Sequence, residues 1–218
     1  MANIPLITEK DGFEIVRDKI ALILATERDL QKAEAASLGE DPSLWDFKVY
    51  IERSNPFEAF NSGDMTPVIN VLYDNSSTDL AGSDLSSNQA TESLIHIDIM
   101  AQAKTAATAT GHAPGDEQAA REAQRVARIA RQILMHGKYE YLQLSKMVGR
   151  RYMQTRTSFQ PRLQTVQNIL GVRLSFVVEH MEYISIEDYP VIEQMYITLK
   201  HDPEGAIIAE LDLTYEGE

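Results

Sequence analysis

The runs ESLIHIDIMAQAK (92–104) and GVRLSFVVEHMEYI (171–184) alternate apolar and polar residues with a period of two. Successive side chains on a strand point to opposite faces, so Ile95, Ile97 and Ile99 share one face of the first run. Val172, Leu174, Phe176 and Val178 share one face of the second. Strands with a single dry face require a sheet, antiparallel or mixed, with helices covering that side. The expected fold class is therefore α+β: a mostly antiparallel sheet flanked by helices, as a single domain over residues 1–218.

Two helices are available to cover the sheet. In DGFEIVRDKIALILATERDLQKAEAAS, Asp11 followed by Glu14 has the capping-box pattern. Phe13, Val16, Ile20, Ile23 and Leu30 recur at helical spacing, which predicts a helix over 12–36. The second helix follows the break TGHAPGDE, with Asp116 as its expected cap. Val126, Ile129, Ala130, Ile133 and Leu134 form its apolar face, and Arg121, Arg125, Arg128 and Arg131 fall on roughly the opposite side.

Further strands are expected in LWDFKVYIE, with Trp45, Phe47, Val49 and Ile51 inward, in TPVINVLYD, in MYITLKHD and in AIIAELDLTYE. DNSSTDLAGSDLSSNQAT is rich in Ser, Asp, Asn and Gly and has few apolar residues to pack, so residues 74–91 read as a long mobile loop. Residues 149–168 carry Arg150, Arg151, Arg156 and Arg162 without clear periodicity and read as an extended basic arm or loose hairpin. No internal repeat and no separable second core are visible.

The net charge of -13 conceals a division. Residues 119–173 hold eleven Lys and Arg against Glu122 and Glu140, a local balance of +9. The remainder holds nine basic and thirty-one acidic residues, a balance of -22. Such a chain can join its own copies, basic part to acidic part, or expose a basic patch to a polyanion.

The absence of cysteine excludes a thiol nucleophile, disulfides and thiolate metal sites. No apolar run approaches the roughly 18 residues of a membrane span, and the amino terminus lacks the pattern of a signal peptide. A soluble protein that stays where it is made, with no membrane partner, is expected.

Candidate chemistry is sparse. His96 and Asp98 share a strand face, and His180 or His201 could complete a two-histidine, one-carboxylate iron site. The basic anchor that such an oxygenase needs after the distal histidine is missing from MEYISIEDYP. Asp46 and Lys48 have the D-x-K spacing of metal-dependent nucleases, but alternation already accounts for both as the wet face of a strand. No Gly-rich phosphate loop, G-x-S-x-G or H-E-x-x-H is present. The expectation is a protein without catalytic residues, metal or cofactor.

The arginines are the strongest functional signal. A nucleic-acid reading gains from Tyr152 and Phe159 among Arg150, Arg151 and Arg156, and loses from the -22 balance elsewhere, which repels a polyanion. Pairing with acidic surfaces of a neighbouring subunit suits arginine equally well. Arg121, Arg125, Arg128, Arg131, Arg150, Arg151 and Arg156 are accordingly the expected interface residues.

The order of elements resembles the tail-terminator group of neck proteins from long-tailed bacteriophages. The resemblance runs over 11–183 and rests on INVLYDN, on the ARQILMH ending of the second helix and on the late alternating strand after the basic segment. It implies a small α+β domain, six copies of which form a ring in the virion neck, assembled in the host cytoplasm. The ring would end tail-tube polymerisation and meet the tube protein, the head-completion or connector protein and, in some tails, the sheath protein. DNA would pass through the lumen without specific binding, and no catalytic residue or cofactor is implied. The alternatives are a head-tail connector or stopper ring, and a nucleic-acid-binding or processing protein.

Overall fold

The computed structural model describes residues 8–56, 58–61, 63–78, 88–108, 111–160, 168–183, 196–201 and 207–212. Met1–Tyr183 and Ile184–Glu218 are two compact units.

Asp11 and Glu14 begin α1 (Gly12–Ser37), where the Glu14 carboxylate accepts from the Asp11 backbone N–H at 3.1 Å. It thereby occupies a donor that helix starts otherwise leave to water. Val16, Ile20, Ile23 and Leu24 are buried along one stripe, which continues through Glu27 to Ala35, and Leu30 is half exposed. In α3 (Gly115–Met135) the buried face is Ala119, Ala123, Val126, Ala127, Ala130, Ile133 and Leu134. Pro114 takes the cap position, and Asp116 lies inside the first turn instead. The carboxylate is still well placed there against the positive helix end. Gly115 is required by close approach, because a Cβ there would stand 2.7 Å from the Ala103 carbonyl oxygen.

The strands are β1 (Lys48–Ile51), β2 (Val68–Thr78), β3 (Asn88–Gln102), β6 (Val148–Phe159) and β7 (Ile169–Tyr183), arranged in the order β1-β2-β3-β7-β6. All neighbours are antiparallel except β1 and β2. A short helix, α2 (Glu58–Asn61), lies in the β1–β2 crossover, and a small hairpin of β4 (Ala106–Thr108) and β5 (Gly111–Ala113) precedes α3. The fold is thus α+β, as the alternating runs require.

The two helices cover one sheet face. Ile69, Val71, Ile95, Ile97, Ile99, Val172, Leu174, Phe176 and Val178 pack with Val16, Ile20, Leu24, Val126, Ala130 and Leu134 into the main core. The inward residues of the two alternating runs are the expected ones. The opposite face carries a small satellite cluster of Phe60, Val68, Met100 and Ile169 at one end, with Tyr50 and Phe159 against it. Polar residues, including Asn70, His96, Asp98 and Arg173, occupy the same face beyond it.

Three segments differ from the sequence reading. The strand expected at 44–52 is shorter: Pro42–Trp45 is a 3-10 turn and β1 begins at Lys48, leaving Phe47 buried and Ile51 exposed. Of residues 74–91, read as a loop, 74–78 and 88–91 are paired strand. A bulge between Tyr73 and Asn75 precedes a polar ladder, with Ser76 and Ser93 hydroxyls 2.6 Å apart and those of Thr78 and Thr91 3.3 Å apart. Hydroxyl pairs replace apolar ones there. The basic segment 149–168 is, through Phe159, the edge strand β6. Residues 79–87 and 161–167, with Arg162, lie outside the described residues.

In the unit Ile184–Glu218, β8 (Tyr196–His201) pairs antiparallel with β9 (Ile207–Asp212), Tyr196 opposite Asp212 and His201 opposite Ile207. These lie within the two late strand segments expected from sequence.

Candidate functional site

Arg156 of β6 meets the arginines of α3, and two irregularities in β6 set the sides of its arginines. Bulges between Val148 and Arg151 and between Met153 and Thr155 shift its register against β7. Arg151 thus faces Val178, Met153 faces Phe176 and Arg156 faces Leu174, all opposite inward-pointing residues of β7. Two arginines five positions apart therefore share the helix side of the sheet, which a regular strand would forbid. Arg121, Arg125, Arg128 and Arg156, with Glu122 and Gln124, line a cleft of about 340 Å³ between α3 and the sheet edge.

Within the cleft the arginines are unequally satisfied. Arg121 is exposed and pairs with Glu117 one turn back at 2.5 Å. Arg125 is mostly buried and grips Glu122 through Nε at 3.0 Å and Nη2 at 2.5 Å, while its Nη1 is buried without a hydrogen-bond partner among the described residues. Arg128 and Arg156 are exposed and have no ion pair among those residues. Guanidinium groups in this state suit carboxylates or phosphates, which they bind with paired N–H groups.

Arg131, Arg150 and Arg151 lie outside the cleft lining. Arg131 is exposed on α3. Arg150 pairs with Glu179 at 3.2 Å and lies over the Tyr152 ring, 6.0 Å from its centre. Arg151 closes the C-terminal end of α3, where its Nη2 donates to the His136 carbonyl at 2.8 Å. Burial pulls its pKa down, against the raising effect of Glu140.

The aromatic residues of β6 do not form an open stacking platform. The Tyr152 hydroxyl donates to Glu92 at 2.5 Å, and Phe159 packs against the satellite cluster.

The two weak metal patterns separate in space. Arg173 holds Asp98 at 2.7 Å through both carboxylate oxygens. Strand alternation puts His180, opposite Thr91, on the other sheet face from His96, opposite Ser175. Asp46 pairs with Lys32 at 3.0 Å, and Lys48 with Asp64 at 2.6 Å. Among the described residues no group of three or more His, Asp or Glu is placed to hold a metal ion.

A buried hydroxyl–imidazole pair, invisible in sequence because its members lie far apart, joins Ser93 to His180, whose Nδ1 has no hydrogen-bond partner among the described residues. Ser93 Oγ is 2.8 Å from His180 Nε2, and His180 Nδ1 is 3.7 Å from Glu182 Oε1. Ser93 is 0% exposed and shares its hydroxyl with Ser76, so it presents no nucleophile to a substrate. Glu182 also accepts from the Gly12 N–H at 2.8 Å. The Ser93–His180 bond thus ties β3 to β7, and the Glu182–Gly12 bond separately ties β7 to the start of α1.

A second concavity of about 290 Å³ lies between the helices, lined by Glu27, Trp45, Ile129, Ile133, Lys138 and Tyr139. Lys138 and Tyr139 donate to the same Glu27 oxygen at 2.6 and 2.5 Å. Through that oxygen the carboxylate joins α1 to the turn after α3.

No protein-family model matches the chain, and no curated protein matches it.

Proposed function

We propose that this chain is a structural protein of a long-tailed bacteriophage virion that forms a ring, six copies around, at the neck. There it ends tail-tube polymerisation and joins the tail to the head-completion proteins. Its contacts are with its own copies, the tube protein, the head-completion or connector protein and, where the tail contracts, the sheath. A connector or stopper ring is the nearest alternative within the same class.

The supporting observation is the convergence of Arg128 and Arg156, both without ion pairs among the described residues, on a cleft beside an edge strand. The rest of the chain is strongly acidic. Copies that meet basic edge to acidic surface make a head-to-tail contact, and such contacts close into rings when the rotation per copy permits. The arrangement of elements through Tyr183 resembles the neck proteins and supplies the setting. Phe159 is packed, which leaves Tyr152 as the one exposed ring of β6 and disfavours the nucleic-acid reading, which needs successive exposed rings.

Negative-stain electron microscopy of the purified full chain at near-physiological salt tests the reading. Closed rings with a central hole are expected. Monomers at every concentration, together with DNA binding that falls steeply with salt, would replace it with the nucleic-acid reading.

A further inference from the structure

We infer that the cleft between α3 and β6 receives the acidic unit Ile184–Glu218 of a second copy, with β9 adding as a strand to the outer edge of β6. This rests on the ring-forming reading and names the segment that joins its subunits.

β6 ends the five-stranded sheet, so its outward backbone groups have no strand partner among the described residues. An edge of this kind is a template for another strand, and main-chain hydrogen bonds then supply affinity while flanking side chains select the partner. Here the selecting groups are cationic: Arg156 on the strand, Arg128 beside it on α3, and the buried Nη1 of Arg125 behind them. Pairing of β6 with its own copy would bring Arg150, Arg151 and Arg156 of both copies onto one seam, and like charges close across a strand pair are destabilising. The edge therefore rejects itself and accepts an acidic strand.

The chain contains such a strand. Residues 184–218 carry nine acidic residues against the single basic Lys200, and Glu210 and Asp212 lie on β9. A two-stranded hairpin is at best marginally stable by itself in water and gains by joining a larger sheet. Basic edge and acidic hairpin are different surfaces of one chain, so their union between copies is head-to-tail.

Two full-length charge-reversed variants test this: Arg128→Glu/Arg156→Glu at the edge, both at exposed positions, and Glu210→Lys/Asp212→Lys on β9. Light scattering across a concentration series reads association, and far-UV circular dichroism checks that each variant folds. Each variant alone is expected to associate at least about tenfold more weakly than the unmodified chain. An equimolar mixture of the two should recover association, because the acidic edge of one copy then meets the basic hairpin of the other. Glu210→Gln/Asp212→Asn, which removes charge without reversing it, should lie between. If both reversed variants associate as well as the unmodified chain, or if their mixture is no better than either alone, the contact is overturned while the ring reading stands. If the unmodified chain never associates, both fall.

Discussion

Arg173 on β7 holds Asp98 on β3 through two hydrogen bonds of 2.7 Å, Nε to Oδ1 and Nη2 to Oδ2, across directly opposed positions of neighbouring strands. The Asp98 side chain is only 9% exposed while that of Arg173 is 39% exposed, so the carboxylate depends on the guanidinium more than the reverse. The pair occupies the carboxylate of the H-x-D pattern, and among the described residues Asp98 belongs to no group placed to hold a metal ion. Each of its carboxylate oxygens accepts from a guanidinium that the strand register delivers.

Arg173→Ala should therefore cost about 1–3 kcal/mol, because it leaves a largely buried carboxylate unpaired. Adding Asp98→Asn should recover part of the loss. Chemical denaturation of both single variants and the double variant measures the coupling. Additive losses would show that the two side chains act independently.

Glu27 should contribute to acid sensitivity. Burial pushes its carboxyl up, but the hydrogen bonds from Lys138 and Tyr139 and the Lys138 charge outweigh this and hold it below the ordinary value of 4.5. A depressed folded-state pKa gives stability that is complete above the unfolded value and lost as pH falls through the folded one. Glu27→Gln should be less stable than the unmodified chain at neutral pH, with the gap narrowing below about pH 4.5. Denaturation midpoints from pH 7 to 3 check this; a gap independent of pH would contradict it.

His180 should act at milder acidity. Burial holds its imidazole below the ordinary 6.5, against the raising effects of Glu182 and the Met181 backbone. The unfolded chain takes up this proton first, so stability should fall as pH drops below 6.5 and level off below the folded value. His180→Gln, whose amide can still meet Ser93, should flatten that decline. A remaining slope is expected from His96, which burial and then Arg173 also hold low. Parallel urea-midpoint curves for variant and unmodified chain between pH 8 and 5 would contradict the assignment.

The sequence displays the core more clearly than the interface, and β6 shows why. Ile95, Ile97 and Ile99 alternate without interruption and read directly as one buried face. In β6 two bulges break the period, and the one between Met153 and Thr155 puts Arg151 and Arg156 on one side although their spacing is odd. A strand with that pattern looks like an irregular arm. The polar extension of β2 and β3 is hidden for a related reason: Ser76, Ser93, Thr78 and Thr91 pair through hydroxyls, and a hydroxyl-rich stretch has the composition of a loop. The parallel β1–β2 pairing was not legible, because it depends on the crossover between them. Asn70 finishes it, accepting from the Arg53 N–H at 3.1 Å and donating to its carbonyl at 2.8 Å. The arginine stripe of α3 was legible as a face; its meeting with Arg156 was not, since it requires the sheet order.

Hydrogen–deuterium exchange of the β6 backbone, compared between dilute and associated full-length protein, tests most directly whether the basic sheet edge is a protein contact. On association, amides within Val148–Phe159 that are not bonded to β7 should become protected, while those of the β1 edge keep their exchange rates. Equal exchange of the β6 amides in both states would show that copies join elsewhere and would contradict the proposed role of the basic edge.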